Sequence, residues 1–198
     1  MTKLTHYIIH CTATPKGMEI SADALKQWHL GPAKVADGFR YKGNVYSTVE
    51  ELPREKIGGV EITKLIGGRG WRQVGYADMI HLDGQIENLV PYNENSTVDP
   101  WEITNGILQS NPIFFNARHM VYVGGMDVRN KKPIDTRTPE QMRSMLWKIT
   151  ETLKHHPDIT IAGHNQFDNR ACPSFNVPKW LLENGVRTKN DFLDAIII

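Results

Sequence analysis

Two short apolar runs of this chain each lead into a histidine, and the placement of these histidines constrains the fold more than any other feature. The first run ends at the pair His10-Cys11, and the second, Ile159–Ala162, is followed closely by His164. Cys172 lies eight residues after His164. Two imidazoles and one thiolate with a fourth position left open are the ligand set of a catalytic zinc site. The residue types therefore indicate a zinc site if the fold brings the two segments together.

The composition predicts one globular domain spanning residues 1–198. Hydrophobic residues make up 40% of the chain and charged residues 23%, which is enough apolar material for a single core. The formal net charge of +1 argues against a nucleic-acid partner. We expect no insertion into a membrane, because no run of about 18 apolar residues occurs. A disulfide between the two cysteines would need an oxidising compartment.

Strand and helix signals alternate along the chain. The clearest helix begins at Thr138, where Pro139 suits the first turn and Gln141 completes a capping box, and it ends before Pro157. Asp83-Gly84 predicts the turn of a β-hairpin. Further signals predict strands over 7–10, 120–123 and 159–162 and a helix between Ser21 and Gly31. The pattern indicates an α/β fold in which helices pack on a mixed central β-sheet.

The segment from about residue 37 to 70 lacks a clean hydrophobic period. Tyr41–Tyr46 resembles a small hairpin, and glycine pairs interrupt the rest. We interpret residues 37–70 as an insertion that rims the site. Residues 181–198 are interpreted as a C-terminal extension whose apolar end, Asp191–Ile198, docks on the domain.

His10 and Cys11 are expected to point in opposite directions. Successive side chains of a strand alternate between its two faces, so only one of the pair can line a cleft. His10 is the better ligand, and Cys11 is then a packing residue. The loop between His164 and Cys172 has to fold back if both are to reach one ion.

Six short motifs occur in the same order as in a known family. They are Ile8–Thr14 (IIHCTAT), Gly70–Tyr76 (GWRQVGY), Leu82–Gly84 (LDG), Tyr122–Gly125 (YVGG), Thr138–Gln141 (TPEQ), and Gly163-His164 with Ala171–Phe175 (ACPSF). With these motifs the chain resembles the type 2 N-acetylmuramoyl-L-alanine amidases, a family that includes phage enzymes and peptidoglycan recognition proteins. The resemblance covers residues 6 to 180.

The resemblance implies a zinc hydrolase that acts on bacterial peptidoglycan, and we expect the protein to be a monomer. It would cut the amide between the lactyl group of N-acetylmuramic acid and the L-alanine of the stem peptide. Carried over by position, the zinc ligands are His10, His164 and Cys172. Tyr76 is then a catalytic residue, and Arg170 stands where phage members usually have a catalytic lysine.

The chemistry of these residues agrees with hydrolysis of an amide. Two neutral imidazoles and one thiolate leave Zn²⁺ with a net positive charge, which lowers the pKa of a bound water to about 7. Tyr76 or Arg170 could donate a hydrogen bond to the oxygen of the tetrahedral intermediate. Arg170 cannot be a general acid, because the pKa of a guanidinium exceeds about 12.

Other positions bear on the substrate. Arg118 and His119, at the start of a predicted strand, could bind the carboxylate of the stem peptide, and a polar pair at a strand end explains them equally well. Many phage members have a histidine at the position of Ala77. The stretch Pro91–Gly106 replaces a Gly/His-rich segment of many relatives.

Two rival functions stay open at the level of sequence. Cys172 could be the nucleophile and His164 the base of a metal-free cysteine hydrolase. The chain could also be a non-catalytic module that binds or recognises peptidoglycan. The first residues enter a strand-like run without the apolar segment of a secretory signal, so we expect synthesis in the cytosol. This fits a phage or prophage endolysin released to the cell wall, and a bacterial enzyme with a dedicated export machine would look the same.

Overall fold

A computed structural model of the protein describes residues 2–104 and 116–186. These residues form two compact units. The first unit comprises residues 2–19, 76–104 and 116–186, and the second is Ile20–Gly75. The single-domain organisation over 1–198 stays a prediction, and the docking of Asp191–Ile198 falls outside the described residues.

The described residues contain short strands and three α-helices. The strands are β1 (His6–Cys11), β2 (Thr14–Pro15), β3 (Ala33–Val35), β4 (Gly38–Tyr41), β5 (Asn44–Tyr46), β6 (Lys56–Ile57), β7 (Val60–Glu61), β8 (Asp78–Ile80), β9 (Ile86–Asn88), β10 (Ala117–Tyr122), β11 (Gly125–Met126) and β12 (Thr160–Gly163). The helices are α1 (Ala22–Leu30), α2 (Pro139–His155) and α3 (Val177–Glu183).

A five-stranded mixed sheet organises the first unit, in the order β12-β1-β10-β8-β9. Strand β1 runs parallel to both β10 and β12, β8 runs parallel to β10, and β9 is antiparallel to β8. Ile9 of β1 is paired with Gly163 of β12. The next residue in each strand direction is a histidine, so the parallel register places His10 and His164 at the same edge of the sheet. The predicted α/β class with a mixed central sheet is confirmed.

Helices α2 and α3 cover one face of this sheet. Thr138 caps α2 through the predicted capping box with Gln141, and the Gln141 amide also donates to the carbonyls of Ile80 and Val123. A continuous apolar core lies beneath the helices. Its fully buried members include Tyr7, Ile9, Met120, Tyr122, Met145, Ile149, Val177 and Leu181. Burial of each large apolar side chain contributes about 1.5–3 kcal/mol, so the packing of the two helices on the sheet is the main source of stability of the first unit.

A buried charge network lies on the same face of the sheet. Asp78 Oδ2 accepts a hydrogen bond from Tyr7 Oη at 2.7 Å, and Oδ1 lies 3.3 Å from Lys148 Nζ of α2. Arg118 Nη2 is 3.8 Å from the same carboxylate. Burial and the neighbouring Asp78 carboxylate raise the pKa of Tyr7 well above its usual value, so Tyr7 donates as a neutral phenol.

The second unit has its own core. Ser21 caps α1 by accepting a hydrogen bond from Ala24 N, β3, β4 and β5 form an antiparallel sheet, and β6 and β7 form a small hairpin. The hairpin predicted over 41–46 is confirmed as β4–β5. Tyr41, Leu52, Ile57 and Ile62 pack together inside the unit. The insertion predicted over 37–70 lies wholly within this unit, which begins 17 residues earlier and ends five residues later. Among the described residues, no helix combines the length and the apolar character that crossing a bilayer requires.

Candidate metal centre

His10, His164 and Cys172 converge at the carboxyl edge of the parallel strands. One possible ligand atom from each side chain lies within 4.8 Å of those of the other two. Within residues 2–104 and 116–186, these three side chains form the cluster that could hold a metal ion. His10 and His164 are fully buried, and Cys172 is partly buried. Asn165 N donates a 2.7 Å hydrogen bond to Cys172 O, which folds the loop after β12 back on itself. The structure thus brings together the three residues that the resemblance names as ligands.

The thiol of Cys172 contacts β1 directly. Its Sγ lies 3.6 Å from His10 Nδ1 and accepts a hydrogen bond from Cys11 N at 3.3 Å. The side chain of Cys11 belongs to the apolar core, in agreement with the expected alternation of the pair. Gly125 has a φ of +102°, and a Cβ there would collide with Cys11 Sγ. Glycine is therefore required where β11 passes Cys11.

The donor set fits a zinc ion. Both ring nitrogens of His164 are buried and lack a hydrogen-bond partner among the described residues. Burial lowers the pKa of His164, which favours the neutral imidazole that a metal needs. Contact with the Cys11 thiol and burial raise the pKa of Cys172 well above its usual value. A cation is what would stabilise the Cys172 thiolate in this environment, and soft sulfur with imidazole nitrogen suits Zn²⁺.

Tyr76 lies beside His10, one of the three ligand candidates. Its ring centroid is 5.0 Å from that of His10, with the planes tilted by 44°. Tyr76 lies two residues before β8, and the next backbone N–H, that of Ala77, donates to the carbonyl of His119 at 2.7 Å. The backbone that carries Tyr76 is therefore anchored to β10.

Arg170 is exposed and is held by a residue that the sequence interpretation missed. The Arg170 side chain is 64% exposed, and its Nε donates a 2.8 Å hydrogen bond to Asp168 Oδ2. The same oxygen lies 3.6 Å from His164 Nε2. The hydrogen bond from Arg170 lowers the pKa of Asp168. The spacing of Asp168, four residues after His164 and two before Arg170, is the sequence signal that could have indicated this contact.

Arg118 and His119 lie on opposite faces of β10. Arg118 is 1% exposed, and its guanidinium donates to the backbone carbonyls of Val90, Pro91 and Glu102 at 3.2, 3.2 and 2.6 Å. These contacts keep Arg118 in the interior, away from the ligand candidates. His119 instead points to the metal side, where its Nδ1 lies 2.8 Å from His10 Nε2. Burial, with smaller effects of His164 and His6, lowers the pKa of His119 to about 3.

Comparison with known proteins places this geometry in a fold family. No family model matches the chain. The endolysin of Enterobacteria phage K11 is 22% identical over 177 residues, which cover 89% of this chain and 85% of the phage protein. The solved N-acetylmuramoyl-L-alanine amidase LysC of Clostridium intestinale is 15% identical and matches with a TM-score of 0.52 over 94% of this chain and 88% of LysC. Bumblebee PGRP-SA is 11% identical, with a TM-score of 0.54 over 96% of this chain and 86% of that protein.

The chain has the amidase and peptidoglycan recognition protein fold. Together with the sequence similarity to a phage endolysin, this confirms the resemblance that the short motifs predicted. Within the amidase fold, His10 and His164 lie at the carboxyl ends of β1 and β12, and Cys172 joins them from the loop after β12. This is the edge at which open α/β sheets commonly bind ligands.

Two departures from the family pattern have a structural place in this amidase fold. Ala77 is fully buried. The segment that replaces the Gly/His-rich stretch is fixed by Glu102, whose carboxylate accepts hydrogen bonds from Asn93 N at 2.6 Å and Asp99 N at 2.7 Å. Trp101 of this segment is 46% exposed. The part of the segment up to residue 104 is thus ordered by a buried carboxylate, and the remainder falls outside the described residues.

His81 does not join the candidate metal ligands of this amidase fold, because its ring is held by two glutamates. Its Nδ1 lies 3.1 Å from Glu19 Oε1, and its Nε2 lies 3.2 Å from Glu87 Oε2. Two carboxylates on opposite sides of one imidazole are a sufficient reason for a histidine at this position.

Proposed function

We propose that this protein is a zinc-dependent N-acetylmuramoyl-L-alanine amidase. It hydrolyses the amide between the lactyl group of N-acetylmuramic acid and L-alanine in bacterial peptidoglycan. The observation that carries the proposal is the convergence of His10, His164 and Cys172 within 4.8 Å of one another. The fold shared with an amidase and the similarity to a phage endolysin support it.

Each residue of the candidate centre has a role in this reaction. His10, His164 and Cys172 hold the ion. Zn²⁺ bound there supplies a Lewis acid and an acidified water for attack on the amide carbon. The buried imidazoles exclude bulk water from the inner side of the site, so electrostatic interactions at the reacting group are stronger than in solution.

Tyr76 and Arg170 stabilise the negative charge that develops on the carbonyl oxygen. Tyr76 donates through its phenol, which lies in the same buried cluster as His10. Arg170 contributes a fixed positive charge and transfers no proton. The Asp168 carboxylate limits the rotamers of Arg170 and directs its guanidinium along the loop that carries the ligands.

The relatives support a proposal for the biological setting. We propose that the protein acts as a monomeric endolysin, is made in the cytosol, and reaches peptidoglycan at the cell wall. The similarity to the phage K11 endolysin spans most of both chains, which supports a lytic role.

One experiment tests the proposal against its rivals. Zinc content and release of muropeptides are measured on the same purified samples of wild type, Cys172→Ala and Cys11→Ala, with mass spectrometry of the products. We expect one zinc per chain and free L-alanine-terminated stems from the wild type, and loss of both from Cys172→Ala. Cys11→Ala is the matched control, because it removes the neighbouring thiol but leaves the ligand set, and it should retain zinc.

Other outcomes would identify a different function. Metal-free protein that still cleaves would show the thiol mechanism of a cysteine hydrolase. Zinc-loaded protein that binds sacculi without releasing new amino termini would show a recognition module.

A further inference from the structure

We propose that His119 is a positioning residue that fixes the ring orientation and the tautomer of His10. The inference rests on the proposed metal site. Its structural basis is the 2.8 Å separation between His119 Nδ1 and His10 Nε2, two fully buried rings carried on adjacent parallel strands.

The two nitrogens of His10 have different neighbours, and this decides the direction of the hydrogen bond. Nδ1 faces Cys172 Sγ at 3.6 Å, on the side of the ligand candidates, and Nε2 faces His119. A neutral imidazole carries one proton, and a nitrogen that binds a metal offers its lone pair. With the lone pair of Nδ1 directed to the metal, the proton resides on Nε2 and is donated to Nδ1 of His119. His119 in turn carries its own proton on Nε2.

The acceptor is held rigidly. His119 N donates a 2.9 Å hydrogen bond to Thr104 Oγ1, and His119 O accepts one from Ala77 N at 2.7 Å. The parallel register pairs His119 with Ile8, so its side chain lies on the same face of the sheet as that of His10. The His119 ring is therefore held in a fixed position relative to β1, and its hydrogen bond with His10 Nε2 fixes the orientation of the His10 ring.

This arrangement differs from the common one, in which a carboxylate or backbone carbonyl accepts the proton of a metal-bound histidine. Imidazole is a neutral acceptor. It orients His10 without adding a negative charge next to the ion, so the site retains the positive charge that favours an acidified water.

Removal of the acceptor should weaken metal binding while the fold persists. His119→Leu keeps an apolar side chain of similar size and deletes the acceptor, and His119→Asn keeps an acceptor oxygen near the position of Nδ1. Loss of such a supporting hydrogen bond typically costs 10- to 100-fold in metal affinity. We expect a Zn²⁺ dissociation constant about 10- to 100-fold higher for His119→Leu, and recovery of most of this loss in His119→Asn.

Competition with a chromophoric chelator measures Zn²⁺ affinity without recourse to enzyme activity. Visible absorption of the Co²⁺-loaded proteins at saturating metal reports the ligand geometry, and we expect His119→Leu to shift these bands. Val121→Ala is the matched control, because Val121 is buried, lies opposite His10 in the same strand pair, and offers no hydrogen bond to the ring. It should leave both the affinity and the spectrum unchanged.

The outcomes separate the two proposals. Equal loss of affinity in His119→Leu and Val121→Ala, or no recovery in His119→Asn, would overturn the positioning role while leaving the zinc site intact. Wild-type protein that binds no zinc would remove the metal site itself and the inference with it. If His119→Leu does not fold, the comparison of His119→Asn with wild type decides, since the inference requires near-native affinity and unshifted bands in that variant.

Discussion

The carboxylate of Asp168 accepts a hydrogen bond from Arg170 Nε at 2.8 Å, and the same oxygen lies 3.6 Å from Nε2 of His164. One short loop thus joins a candidate metal ligand to the exposed cation beside it. An exposed arginine side chain loses up to about 2 kcal/mol of rotamer entropy when it is ordered. The ion pair with Asp168 offsets part of that cost before substrate arrives.

The first prediction concerns this pair. We expect Arg170→Ala to lower kcat by about 100-fold, the scale for loss of one group that stabilises the oxyanion. Asp168→Asn should lower kcat by about two- to fivefold, because an exposed pair of this kind contributes only about 0.5–1 kcal/mol. The double variant should be no slower than Arg170→Ala, since Asp168 acts through Arg170. Muropeptide release from sacculi measures all three.

Glu183→Gln is the control for this series, because Glu183 pairs with Lys179 on the exposed side of α3 and should not affect turnover. Effects of Asp168→Asn and Arg170→Ala that multiply in the double variant would show that Asp168 acts independently of Arg170.

The second prediction concerns the phenol of Tyr76. Tyr76→Phe keeps the ring that lies 5.0 Å from His10 and removes only the hydroxyl. We expect kcat to fall by about 100-fold while zinc content and thermal stability stay at the wild-type level. Turnover and metal analysis on one preparation check this. Near-normal turnover would show that another group donates to the oxyanion.

Much of the fold could be predicted from local sequence. The helix after Thr138 has a capping box, a proline in its first turn and an apolar stripe, and Asp83-Gly84 marks a hairpin, so short-range chemistry determines these elements. The pairing of β1 with β10 and β12 depends on contacts more than a hundred residues apart, and no local period encodes it. The order of strands in the sheet therefore had to come from the structure.

The candidate site shows the same division. The residue types of His10, His164 and Cys172 indicate a zinc site from sequence. The environments of Arg118 and His119 could not be predicted from their adjacent positions in the sequence. Successive side chains of a strand point to opposite faces of the sheet, and the burial of each face depends on segments that are distant in the chain. Arg118 is satisfied by carbonyls 16 to 28 residues away, and His119 meets His10 across 109 residues.

The third prediction concerns the buried Asp78. Its carboxylate is fully buried, accepts the proton of Tyr7, and faces the cations Lys148 and Arg118. Asp78→Asn removes the negative charge and leaves two buried cations without compensation. Breaking a buried ion pair in this way costs about 3–5 kcal/mol. We expect a loss of that size in the free energy of unfolding measured in urea at pH 7.

Asp83→Asn is the control for Asp78, because Asp83 lies in the exposed turn between β8 and β9 and keeps an acceptor for Gln85 N. Its free energy of unfolding should stay within about 0.5 kcal/mol of wild type. An equally small effect of Asp78→Asn would show that Lys148 and Arg118 are neutralised in another way.

The fourth prediction concerns the pH dependence of stability through His29. His29 is 4% exposed, and its Nδ1 accepts a hydrogen bond from Gly75 N at 3.2 Å. Burial, with a smaller effect of the Arg69 charge, lowers its pKa to about 3. The unfolded chain, with a histidine pKa of about 6.5, then binds more protons than the folded protein between pH 6.5 and 3. Stability from neutral His29 is fully present above pH 6.5 and is lost as the pH falls toward 3.

The size of this effect can be measured with His29→Asn, whose side-chain oxygen can accept the same hydrogen bond and does not titrate. Integration of the proton linkage from pH 7.5 to pH 5 gives about 2 kcal/mol for one histidine. We expect the wild type to lose about 2 kcal/mol more than His29→Asn over this interval in urea unfolding. The other histidines are present in both proteins, so their contributions to the pH dependence of stability cancel when the two profiles are subtracted. Parallel pH profiles of the two proteins would contradict the prediction, because they would mean that His29 binds its proton equally well in the folded and unfolded chains.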